Sequence, residues 1–430
     1  MLSLIFTALV ASTPTGPSIT RIDKSGAYSN DVTYTTFYDR RITQKVEKDS
    51  QPSFQFRFSC DGVDATKCQY VQNSFISAGN RIAQQLKLKS NILVQVQFHS
   101  FCQAMNQGSN CDEVNNIIGR ATPAAYFPGR TSGSDWYYYP QALVKQMNLN
   151  QNLNFAAVDI FAEFNSDFDF YFKDQGIPIK TNQSDFEFVI CHEMTHGLGF
   201  ESNLAQYSSY YDGNGFHVTS NNDYIAPLPF AQGNSLSSAT ASSLAPLSIW
   251  DSFVQSANAS FADLGRKITS FKQNNVPLSQ FITNFETSGD PYNAAHQIMQ
   301  VISSGPNEIF FQTSNNQSVQ LFSMSGYRPG STLVHVNESM SSTADFLMIP
   351  VMRPLLGQAL DSIIAKANSK GIYGPGILGV MSTIGYPTTD SPQVGNLEIA
   401  TNFGGYASSS LPKSVSLNLL LAVALCLINQ

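Results

Sequence analysis

The stretch VICHEMTHGLGFES, residues 189–202, sets His192 and His196 four positions apart, with Glu193 directly after the first histidine. On an α-helix that spacing stacks the two imidazoles one turn apart on a single face, so both reach a common metal ion. Glu193 falls at the edge of this face. There it lies near the ion's remaining position without having to be a ligand, which suits a general base. Zinc takes neutral imidazole nitrogen and, in catalytic sites, three protein ligands with one position open to a water whose pKa falls to about 7. Phe186, Val189, Ile190 and Met194 supply the side that packs into a core. The bland alternative is two surface histidines on an ordinary helix, in a chain with only six histidines.

The sequence around this stretch supports a helix there. Ser184 and Glu187 form an S-x-x-E capping box that starts it from about Asp185, and Gly197 and Gly199 end it. Upstream, Phe75, Ala78, Gly79, Ile82 and Leu86 recur at helical spacing over 74–89. The following NILVQVQF changes to period two, with Ile92, Val94, Val96 and Phe98 on one side. A second strand is expected over 154–164. Residues 202–325 are rich in Ser, Asn, Gln and Gly and read as an insertion or helical subdomain. Residues 330–387 form a compact segment with helices around 355–367 and 375–384, and a Ser- and Gly-containing stalk is expected to follow.

Composition bounds the function classes. A 430-residue chain with 42% hydrophobic and 12% aromatic residues buries a large core and is not disordered. A net charge of -7, without clustered Lys or Arg, argues against a nucleic-acid partner. The N-terminus MLSLIFTALVAS reads as a signal peptide over 1–12. At the other end the apolar run 417–428 is shorter than the roughly 20 residues a spanning helix needs. Small residues around 404–410 and a short polar spacer precede it, the arrangement of a removed GPI-anchor tail over 411–430. These ends predict an extracellular glycoprotein on a GPI lipid anchor. Cysteines fit that compartment, with local disulfides expected for Cys60 with Cys68 and Cys102 with Cys111, and Cys191 left as a buried thiol. Sequons stand at Asn182, Asn258, Asn316 and Asn337.

Two histidines need a third protein ligand. A strict metzincin would have histidine at 202, where this chain has Ser202. Glu201, Asp212 and His217 are nearby donors, while His99 and His296 read as structural or surface residues. The ordered patches FNS (164–166), HEMTHGLGF (192–200), GSTLVHVNE (330–338), LMIP (347–350) and GVMSTIGY (379–386) resemble a group of secreted zincin-type, metzincin-like metalloproteases. Little of the insertion matches beyond IWDSF (249–253). The resemblance implies His335 as the third ligand and Met348 in a turn beneath the metal. This chain departs from the group's pattern at Asn337, Ile349 and Tyr386. Asn337 stands where the group tends to have an aspartate, a candidate for orienting a ligand.

The expected fold class is α+β: a zincin-like catalytic domain with a mixed sheet and an HExxH active-site helix, plus a partly helical insertion. Its parts would be 13–201 and 326–388 around the insertion 202–325, with a stalk over 389–410. The expected function is that of a secreted, GPI-anchored zinc metalloendopeptidase. It would use one Zn²⁺ ion on His192, His196 and His335, with Glu193 as base and a protein or peptide as substrate, and act as a monomer. Tyr210, Tyr211 and Tyr386 are candidate donors to the tetrahedral oxyanion. The alternative is a non-catalytic cell-surface adhesion or wall-associated protein that retains the helix around a structural zinc.

Overall fold

The computed structural model describes residues 21–23, 28–29, 52–104, 117–149, 151–206, 224–232, 239–305, 308–324, 326–328 and 330–400. In chain order the first strands are β1 (Arg21–Asp23), β2 (Tyr28–Ser29), β3 (Phe54–Cys60), β4 (Ile92–His99), β5 (Gly119–Pro123), β6 (Ala125–Arg130), β7 (Tyr137–Pro140), β8 (Asn148–Leu149) and β9 (Ile160–Asn165). The chain is α+β, and the sheet that carries the site is mixed. β3, β4 and β9 run parallel, and β5 closes one edge antiparallel to β9. Along β4 the buried residues are Ile92, Val94, Val96 and Phe98, the alternation that pleating imposes.

The helix Ala65–Gln85 makes the crossover that two parallel strands require. It begins about nine residues before the start the apolar spacing indicated, because Asp64 caps it by accepting from the Lys67 N–H at 2.9 Å. The Cys60–Cys68 disulfide ties its first turn to the end of β3, as expected. It stops at Gln85, before Lys89, because the Lys87 N–H leaves the helix for the Pro387 carbonyl. Gly79 lets it lie close on the sheet, since a Cβ there would sit 3.0 Å from Phe56 Cζ.

β9 starts at Ile160, six residues later than the expected strand. The preceding carbonyls of Ala156 and Val158 accept instead from the Gln141 side chain, at 3.2 and 2.9 Å, and so are satisfied outside any ladder. Behind the sheet, Phe186 is surrounded by Phe75, Phe98, Phe164, Phe170 and Phe172, with ring centroids 4.7 to 6.1 Å away. Each tilted or edge-on pair adds about 0.5–1.5 kcal/mol beyond area burial, so this cluster holds the start of the next helix firmly against the strands.

A second sheet has the order β2-β1-β6, then Asn396–Ile399, then β8, with β7 also paired to β6. Leu397 and Ile399 are buried over Gly129. Residues 396–400 therefore belong to the fold, within the stretch expected as a stalk. The region after Ser202 contains the helices Phe261–Thr269, Leu278–Glu286 and Asp290–Ser303, and also strands such as Val254–Ser256 paired with Ile309–Gln312. It is thus partly helical, with strands as well, and its apolar residues join the main core. Helices Leu360–Lys366 and Pro375–Ile384 lie where the sequence placed them. Among the described residues no helix is long and apolar enough to cross a membrane. The expected signal peptide, the anchor tail and Cys111 lie outside the described residues.

Candidate metal centre

The helix carrying the histidines spans Phe186–Gly197. Its cap is Asp185 rather than Ser184: Asp185 Oδ1 accepts from the N–H groups of Glu187 (2.9 Å) and Phe188 (3.4 Å). The expected capping box fails because tertiary partners claim its glutamate. Glu187 accepts from Ser77 Oγ at 2.6 Å and pairs with Arg81, both on the helix Ala65–Gln85. Asp185 Oδ2 meanwhile accepts from the Leu360 N–H at 2.8 Å, pinning the helix start to the C-terminal segment. At the other end, a Cβ on Gly197 would lie 2.4 Å from Ile160 Cγ2, so the last turn rests directly on β9. Gly199, at φ +108°, then turns the chain back in a conformation that favours glycine.

His192, His196 and His335 converge, all three buried. Their Nε2 atoms form a triangle with edges of 3.2, 3.3 and 3.3 Å. Each Nδ1 lies beside a main-chain carbonyl: His192 at Leu347 O (2.7 Å), His196 at Phe200 O (2.8 Å) and His335 at Ser331 O (3.0 Å). A carbonyl only accepts, so each Nδ1 carries the proton and each Nε2 presents a bare lone pair to the other two. Burial, the first cause for all three, lowers the pKa of His192 to about 4, that of His196 to about 3, and that of His335 well below its usual value. No proton therefore bridges the triangle near neutral pH. Three converging acceptors without a donor are unfavourable by themselves, and a cation resolves the conflict. Tetrahedral ligation at about 2.0–2.1 Å separates nitrogens by about 3.3 Å, so the donor set fits a divalent ion.

Two further segments complete the centre. Residues Phe346–Met348 form a buried 3₁₀ turn in which the Leu347 carbonyl steers His192 and the Met348 carbonyl accepts from the Val336 N–H at 2.7 Å. This turn links the helix to the segment bearing His335. Asn337 does not steer His335. Its Oδ1 caps the 3₁₀ helix Glu338–Ser342 by accepting from Ser339 N–H at 3.0 Å, a task asparagine performs as well as aspartate. Asn337 is half-buried, whereas Asn182, Asn258 and Asn316 are exposed.

Glu193 is 5% exposed, and the Ala121 N–H of β5 acts on its carboxyl. Burial pushes its pKa up to about 8 against that effect, and Glu201 adds a smaller push in the same direction. In metal-free protein the folded state holds this proton up to about pH 8, while the unfolded chain releases it near 4.5. The stability linked to it is complete below about 4.5 and is lost as pH rises through 8. Chelator-treated wild type is therefore expected to lose stability relative to Glu193→Gln between about pH 5 and 8, read from urea midpoints. The shared histidines cancel in that comparison. A gap independent of pH would contradict the buried, protonated carboxyl.

Tyr386 is corrected as an oxyanion donor, because its buried hydroxyl donates to Leu198 O at 2.9 Å. Tyr210, Tyr211, Asp212 and His217 lie outside the described residues. Glu201 accepts from Tyr126 OH at 3.2 Å and is not in the ligand group. His99 packs on Phe101 at the end of β4, and His296 lies beside Tyr292, both away from the cluster. The steering carbonyls and the Ala121 amide were not found from the sequence, since main-chain groups leave no residue-type signal. Asn165 of FNS is structural: its side chain accepts from Phe101 and Asp167 N–H and donates to Ile117 O, stapling the loops at the end of the sheet.

Fold and site define an α+β protein with a buried three-histidine cluster able to hold a metal ion. The sequence profile of the SPBPB7E8-like family matches residues 11–401, and the chain belongs to that family. It is also similar to a Schizosaccharomyces pombe (strain 972 / ATCC 24843) protein described as "uncharacterized protein PB7E8.01", with 33% identity over 157 residues. The match covers 35% of this chain and 27% of that relative. This chain thus spans about a quarter of the relative's length. No solved structure matches the chain.

Proposed function

We propose that this chain is a zincin-like, zinc-dependent metalloendopeptidase acting outside the cell from a GPI anchor. The observation that carries the reading is the triangle of unprotonated Nε2 atoms, with Glu193 buried next to His192 on the same helix. A closed structural zinc site takes four ligands; among the described residues the group contains three. Zinc bound there would polarise the scissile carbonyl and lower the pKa of its water to about 7. Glu193 takes a proton from the attacking water and passes it to the departing amine, and the Ala121 N–H favours the ionised carboxylate that this needs. β5 is the edge of its sheet, and an edge strand accepts an extended peptide as an added strand. That would set a peptide substrate alongside Glu193.

The test uses the full chain from a secreting host. Mass spectrometry is expected to find one zinc per chain, and hydrolysis of denatured casein should stop with chelator and return with added zinc. Metal-free protein as purified, or hydrolysis indifferent to chelator, would remove the proposal.

A further inference from the structure

Within the region expected as an insertion, the segment IWDSF packs against the residues that follow the histidine helix, Phe200 and Asn203. His196 is steered by the Phe200 carbonyl, so whatever fixes residue 200 fixes that imidazole. The Trp250 ring packs on Phe200 in a tilted pair at 4.1 Å between centroids, and Phe311 backs it at 4.6 Å. Trp250 is fully buried, yet its indole N–H has no partner among the described residues. Its value at this position is therefore the ring contact. On the other side of the turn, Asp251 Oδ2 accepts from the Asn203 N–H at 3.1 Å and from Ser248 Oγ at 2.7 Å. The Asn203 side chain returns two bonds, donating to Pro246 O at 2.7 Å and accepting from Ser248 N–H at 2.8 Å. The segment is itself fastened to β7, where Tyr138 N–H donates to Leu247 O and Ile249 N–H to Tyr138 O, at 2.8 and 2.9 Å. Residues 200 and 203 are thus clamped from one rigid ledge, one by a ring and the other by a carboxylate.

We infer that Trp250 and Asp251 are positioning residues for His196, and that the inserted region is an outer support of the metal centre rather than an appended module. The inference rests on the proposed metal site. Loss of an outer partner of a ligand commonly lowers metal affinity by about 10–100-fold. Cobalt(II) is the probe, with affinity from chelator competition and ligand geometry from the visible d–d bands of the full-length protein. Trp250→Leu and Asp251→Ala, which act through residues 200–203, are each expected to weaken cobalt binding by up to about 10-fold, the low end of that range, and to alter the bands. The conservative Trp250→Phe and Asp251→Asn should restore most of both. Phe281→Leu, in the buried core of the same region and off this path, should lower stability with cobalt affinity unchanged. If one variant does not fold, the other decides. Affinity losses no greater than that of Phe281→Leu at matched stability would overturn the role. A wild-type protein that binds no cobalt would overturn the metal reading itself, and the positioning role with it.

Discussion

Glu193→Gln is expected to keep its metal and lose about 10²–10⁴-fold in kcat/KM on denatured casein, the usual worth of a positioned general base. This corresponds to about 3–5 kcal/mol of transition-state stabilisation. Glutamine has nearly the shape of glutamate, so it fills the same buried space. It cannot accept the proton of an attacking water. Retained zinc with lost turnover would separate the base from the ligands. Equal cleavage by variant and wild type, with trace proteases excluded, would sink the assignment.

The second large effect concerns His335. His335→Ala and the bulkier His335→Gln are each expected to weaken zinc binding by more than about 100-fold, beyond the range for outer partners of a ligand. Metal at about 1,000 times its Kd stabilises a fold by about 4 kcal/mol, so the zinc-dependent rise in melting temperature should vanish in both. His335 is wholly buried, and alanine leaves a hole, which is why glutamine accompanies it. His217→Ala should bind zinc as wild type does. Were His335→Gln to retain full affinity while His217→Ala lost it, the triangle would not be the working site.

How much of this was readable beforehand depends on which atoms do the work. The histidine helix was legible because His192, Glu193 and His196 act through side chains at a fixed period. His335 lies 139 residues beyond His196, and only the order of the motif patches pointed to it. The cap was misread because Ser77 and Arg81 claim Glu187, a tertiary contact no local pattern contains. The last strand is masked in the sequence although Asn396, Leu397, Glu398 and Ile399 alternate in polarity, because the Ser and Gly around them favour a stalk. The mixed character of the inserted region was hidden by its low-contrast polar composition.

Because Leu347, Phe200 and Ser331 contribute peptide oxygens, replacing any of those three residues leaves its acceptor in being. Genetic drift there would erode the centre only by bending the chain's path. The lone pairs at these positions are therefore indifferent to the side chain while their placement is not, and a screen for alleles that lose the metal should find them at residues that set the chain's path, Gly199 and the buried Phe200 foremost.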